Sequence, residues 1–88
     1  RTIMELKEKF LAAATESKNL SAKPSNDTLL QLYSLYKQAS EGDVNTEPPS
    51  NPFDFVAKAK YEAWAALKGK TTTDAMTEYV ELIKKLKG

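Results

Sequence analysis

Three residues in the stretch 32–45 combine types and spacing that suit a ligand. On a helix, Tyr33, Tyr36 and Lys37 fall at i, i+3 and i+4, so two phenols and an ammonium share one face. A core-facing helix wants apolar atoms there, and a solvated one wants short polar groups. Flat rings with polar tips beside a cation suit a planar, anionic ligand such as a phosphorylated nucleotide. Taken alone, the trio fits a half-buried packing face with a solvated lysine better, because most such stripes pack. Other residues shift that balance. Lys60 lies inside an otherwise apolar stripe: either its stem is buried and its head snorkels, or its ammonium faces an anion held between helices. Tyr79 is a further phenol at the margin of a later apolar face. Lys18 and Lys23 flank the first connector and matter only if the fold brings them near Lys37.

The totals narrow the chemistry. The 88 residues include no cysteine and no histidine, which removes disulfides, thiol nucleophiles, zinc sites and histidine general bases. No nucleophile sits beside a base, so an enzyme is not expected, and neither is a cofactor. Asp43, Asn45, Glu47 and Asp54 lack the central glycine and terminal glutamate of an EF-hand loop, so no metal is expected either. Thirteen basic and twelve acidic residues leave a net charge of +1, too balanced to grip nucleic acid by bulk charge. No apolar run approaches the roughly 20 residues of a membrane span, and no signal peptide is visible. The start at Arg1 rather than Met leaves room for an upstream segment that was removed or left out. These features lead us to expect a single soluble, cytoplasmic domain spanning residues 1–88.

Four helical patterns must position these side chains. The first runs from about Thr2 to Asn19, with Ile3, Leu6, Phe10, Ala13, Ala14 and Ser17 on one side and Thr2 with Glu5 as a capping box. The small Ala12–Ala14 patch suits close helix packing. Pro24, Ser25 and Asn26 announce the second helix, about Asp27–Ser40. Its stripe is Leu29, Leu32, Tyr33, Tyr36 and Ala39, with Leu30 and Leu35 beside it and Gly42 at the C-terminal cap. A loop carrying Pro48, Pro49 and Pro52 follows. Asn51-Pro52 then reads as an N-cap and first turn for a third helix ending at Gly69. Phe53, Val56, Ala57, Lys60, Tyr61, Trp64 and Leu67 form its apolar stripe. The last helix opens at Thr71 with Asp74 in capping position, and packs through Ala75, Met76, Tyr79, Val80, Leu82, Ile83 and Leu86. No strand alternation, long repeat or glycine-rich phosphate loop appears. The reading is all-α, four helices in one bundle.

Two blocks carry a resemblance. Tyr33-Ser-Leu-Tyr36-Lys37-Gln38-Ala39-Ser40, with Gly42-Asp43-x-Asn45 and a proline-containing loop, resembles the signature of the acyl-CoA-binding protein family. Lys58-Ala-Lys60-Tyr61-Glu62-Ala63-Trp64 is similar to its second block, with Leu67-Lys68-Gly69, Asp74-Ala75-Met76 and Tyr79 after it. The likeness runs from about Ile3 to Lys87. It implies an up-down-down-up four-helix bundle that binds, buffers and transports medium- to long-chain fatty acyl-CoA esters, such as palmitoyl-CoA, without catalysis and as a monomer. By resemblance, the ligand contacts are Tyr33, Tyr36, Lys37, Lys60 and Tyr79, with Lys18 and Lys23 near the ligand. Ser34 and Leu35 belong to the same contiguous block, the serine read as facing solvent. Three positions depart from the family pattern. Tyr61 stands where a tryptophan is usual, the proline loop is one residue longer, and Val56 replaces a lysine that some members carry.

The residues can be matched to such a ligand. A tyrosine offers the adenine a flat partner, and a charge-assisted hydrogen bond from Lys37 or Lys60 to phosphate contributes roughly 1.5–3 kcal/mol. Ala14, Leu29 and Leu30 are the expected acyl-chain groove. About ten buried methylenes at ~0.8 kcal/mol each contribute at most ~8 kcal/mol, more than one phosphate contact. Leu29, Leu32 and Ala39 are expected to hold the bundle together. A different reading makes the same tyrosine face a docking surface for a partner helix, in a protein-interaction module.

Overall fold

In the computed structural model, which describes residues 2–20 and 23–87 and side chains from Glu5 onward, four α-helices follow one another: α1 (Thr2–Glu16), α2 (Asn26–Glu41), α3 (Phe55–Ala65) and α4 (Thr72–Lys87). The Thr2 cap and the Ile3 packing position lie outside what is described. Helix α1 tightens into a 3-10 turn at Ser17–Asn19, where the Ser17 hydroxyl donates to the Ala14 carbonyl at 2.7 Å. Ser25 caps α2, its hydroxyl accepting from the Thr28 N–H at 3.2 Å. Gly42 ends that helix with φ +82°, and its N–H donates to the Gln38 carbonyl at 3.0 Å. That conformation suits glycine and strains other residues, so the expected stop falls where glycine sits. Thr71 caps α4 by accepting from the Asp74 N–H at 3.0 Å, as its spacing predicts.

The third helix starts three residues later than Asn51-Pro52 suggests. Asn51 instead makes a turn, its side-chain oxygen accepting from the Phe53 N–H at 2.9 Å and its carbonyl from Asp54 at 3.2 Å. Asp54 then supplies the real cap, accepting from Ala57 N–H at 3.0 Å. Both residues are competent acceptors, and local spacing does not separate an Asx turn from a helix cap. At the other end, regular helix stops at Ala65 and turns carry the chain to Gly69.

The core lies between α1, α2 and α4. Phe10 and Ala13, Leu32, Leu35 and Ala39, and Ala75, Tyr79, Val80 and Ile83 form one buried cluster. Helix α4 packs on both α1 and α2, whereas α3 packs on α2. Trp64 is therefore the buried residue of α3. The expected stripe of α3 packs only in its C-terminal part, where Trp64 is buried and Leu67 lies against the core; Phe53 is 80% exposed and Val56 64%, and Phe55 beside them is 72% exposed. The reason is geometric. Helix α3 packs chiefly on α2, and its N-terminal half borders an open apolar groove instead of the core. Leu29, expected to hold the bundle, is also exposed, while Leu32 and Ala39 are buried as expected.

A polar clasp joins the ends of these helices. Gln38, fully buried, donates from Nε2 to Asp43 Oδ1 at 2.9 Å and to the Lys70 carbonyl at 2.7 Å. Asp43 Oδ1 also accepts the Gly69 N–H at 2.9 Å, and the Trp64 indole N–H donates to the Gly42 carbonyl at 2.9 Å. The end of α2 is thus tied both to α3 and to the turn before α4. Buried polar groups need such partners, since an unpaired one costs about 1–3 kcal/mol.

Candidate ligand-binding groove

Helix α2 presents Tyr33, Tyr36 and Lys37 on one face, as the spacing requires. Phe10 from α1 stacks on Tyr36, with centroids 5.5 Å apart and planes 25° off parallel. It meets Tyr79 from α4 edge-on at 5.2 Å, and Tyr36 and Tyr79 are 6.2 Å apart. Three helices therefore contribute to one aromatic cluster, in offset or edge contacts that favour ring quadrupoles. Tyr79 is 4% exposed and braces the cluster, while Tyr36 keeps an exposed edge.

The two lysines sit across the α2–α3 seam in reciprocal fashion. Lys37 of α2 places Nζ 4.9 Å from the ring centroid of Trp64 in α3, and Lys60 of α3 places Nζ 5.2 Å from the ring of Tyr33 in α2. Each ammonium lies against the face of an aromatic ring, an attraction worth ~0.5–1 kcal/mol at accessible sites. Lys37 is also paired with Glu41, which raises its pKa against the opposing effect of burial. Asp43 is held below the usual carboxylate range, first by the Gly69 N–H and then by the Gln38 amide.

Three grooves adjoin one another on this side of α2, the last two at the α2–α3 seam. The first, about 420 Å³ between α1, α2 and α4, includes Ala14, Lys18, Tyr33, Tyr36 and Tyr79. The second, about 230 Å³, runs from Tyr33 past Glu47 and Pro49 to Lys60, Tyr61 and Trp64. The third, about 370 Å³ and mainly apolar, is walled by Leu29, Leu30, Phe55, Val56, Ala59 and Lys60. Tyr33 is common to the first two and Lys60 to the last two, so they form one track. A larger groove of about 670 Å³ beside Leu35 and Leu82 is lined by both Glu78 and Glu81 and Lys84 and Lys85. Mixed charge there gives no preference for an anion. Among the described residues, no cluster of three or more Asp, Glu, His or Cys side chains is placed to hold a metal ion.

Most residues singled out in the sequence converge on this track, with exceptions. Ser34 and Leu35 turn inward. Ser34 is 5% exposed and donates to the Gln31 carbonyl at 3.0 Å, so it does not face solvent, and Leu35 belongs to the core. On a helix these positions are rotated by ~100° and ~200° from Tyr33, which is why a contiguous block does not share one face. Lys23 is exposed and lines none of the three grooves, and Lys37 lines none of them either, reaching the middle groove only through Trp64, the ring its ammonium lies over. Ala14 joins the tyrosine groove rather than that of Leu29 and Leu30. Phe55 and Glu41 were not singled out at all. Phe55 falls off the helical stripe, and Glu41 is distinguished only by its i+4 spacing from Lys37.

Comparison with known proteins gives a consistent result. The family model "Acyl CoA binding protein" matches residues 7–83. The acyl-CoA-binding protein of Brassica napus is 47% identical over 83 residues, covering 94% of this chain and 89% of the relative. That of Dictyostelium discoideum is 49% identical over 77 residues, 88% of this chain and 90% of the relative. Among solved structures, the crystal structure of Oryza sativa Acyl-CoA-Binding Protein 2 superposes with a TM-score of 0.91 at 39% identity, covering 97% of this chain and 91% of that one. With its clustered tyrosines, seam lysines and four-helix fold, the chain belongs to the acyl-CoA-binding protein family.

Proposed function

We propose that this chain binds medium- to long-chain fatty acyl-CoA esters without transforming them, and so buffers and carries them as a monomer in the cytoplasm. The observation that carries the reading is the track itself, lined by three tyrosines and Lys18 at one end and almost wholly apolar at the other, with Lys60 on its wall and Lys37 beside it over the Trp64 ring. The nucleotide end lies against Tyr33, Tyr36 and Tyr79, with Lys18 at the same groove. Lys37 and Lys60 meet the phosphates. The acyl chain follows Leu29, Leu30, Phe55, Val56 and Ala59. Smaller than the usual tryptophan, Tyr61 contributes one wall of the middle groove. No helix among the described residues is long and apolar enough to cross a membrane, in keeping with a carrier that leaves the bilayer.

Titration calorimetry with palmitoyl-CoA, free coenzyme A and palmitate tests this reading. Palmitoyl-CoA binds tightest, coenzyme A weakly through its phosphates, and palmitate least. Comparable weak heats from all three ligands would refute it.

A further inference from the structure

Among the described residues, Glu41 is the one carboxylate paired with a proposed phosphate-binding lysine. It sits one turn beyond Lys37 on α2, and its Oε2 pairs directly with Lys37 Nζ. The Trp64 ring covers a second side of the same ammonium, 4.9 Å from Nζ. An ammonium has three N–H donors, and here one is taken by the carboxylate while the indole face restricts approach from α3. A phosphate reaching Lys37 therefore meets a negative charge already seated on its donor.

Lys60 provides a contrast within the same seam. It rests on Tyr33, and among the described residues it has no carboxylate within ion-pair distance. The two cations are thus unequal: one is open to an anion and the other is occupied. An accessible i, i+4 ion pair adds little to fold stability, and the pair is partly open to solvent, with side chains 24% and 40% exposed. Its main consequence falls on whatever anion competes for Lys37.

We propose that Glu41 is an internal competitor for the anion site on Lys37, displaced by the ligand phosphate and setting the affinity for that end of the ligand. The inference rests on the acyl-CoA reading given above. Removing the charge while keeping the side-chain shape frees the ammonium and ends the repulsion of the incoming phosphate. If Lys37 is removed instead, the accessible carboxylate has no cation to hold it and swings to solvent, so its effect on the ligand fades.

Calorimetry with palmitoyl-CoA on the wild type, Glu41→Gln, Lys37→Met and the double variant tests this. Glu41→Gln tightens binding by about threefold to tenfold at moderate ionic strength. The same substitution in the Lys37→Met background changes affinity by less than about twofold, since the competition runs through Lys37. Thermal unfolding of Glu41→Gln matches the wild type. Unchanged or weaker binding by Glu41→Gln, beside tight binding by the wild type, overturns the role of Glu41 and leaves the acyl-CoA reading standing. A gain that persists in full without Lys37 also overturns it. A wild type that does not bind palmitoyl-CoA removes both.

Discussion

Lys37 and Lys60 each borrow a ring from the opposite helix, and that reciprocity gives single residues their leverage. Lys37 Nζ bridges the Trp64 face and the Glu41 carboxylate, so its head is held at the seam rather than free in solvent. Trp64 itself is anchored independently, through its indole N–H to the Gly42 carbonyl at 2.9 Å. Lys37→Ala therefore removes a cation without unseating the tryptophan. We expect acyl-CoA affinity to fall at least about tenfold, the loss of one charge-assisted hydrogen bond, with helicity unchanged by circular dichroism. An affinity equal to the wild type would take Lys37 out of the site. Tyr79 differs in kind: its ring is wedged between Phe10 and Tyr36, so it supports the groove as much as it lines it.

At the scale of elements, the end of α2 does the joining. Gly42 stops the helix, and Asp43 immediately after it gathers the Gln38 amide and the Gly69 N–H on one oxygen. These donors favour the ionised carboxylate, which lowers the Asp43 pKa in the folded state. With its folded value below the unfolded ~3.9, Asp43 contributes stability that is present above about pH 4 and lost as pH falls through the folded value. Asp43→Asn should flatten the acid limb of stability. Thermal melts of both proteins from about pH 5 down to about pH 2 check this, and parallel slopes would show that Asp43 is not the titrating group.

On the scale of the whole molecule, the Cα frame measures 41 × 30 × 15 Å, a slab rather than a sphere. Helices α1, α2 and α4 close around the core, and α3 lies chiefly against α2, leaving an apolar trough at its N-terminal half. The exposed Phe55 and Val56 line that trough opposite Leu29 and Leu30. Phe55→Ala should leave folding intact, because that side chain is 72% exposed. It should weaken palmitoyl-CoA binding about threefold to tenfold and leave free coenzyme A unaffected, consistent with ~0.8 kcal/mol per methylene uncovered. Equal losses for both ligands would move the acyl chain elsewhere.

Much of this was local and so legible in the sequence. The lack of Cys and His, the Gly42 stop, the Thr71 cap and the shared face of Tyr33, Tyr36 and Lys37 depend on composition or on neighbours within four residues. The resemblance reached the family from the same residues. Tertiary structure decided the rest. It turned Ser34 and Leu35 inward and chose Asp54 over Asn51 as the cap of α3. It set Lys37 on Trp64 and Lys60 on Tyr33, and it buried Gln38 against a carbonyl 32 residues away. Such contacts depend on which helix lies beside which and at what rotation, and helical periodicity within a segment carries neither.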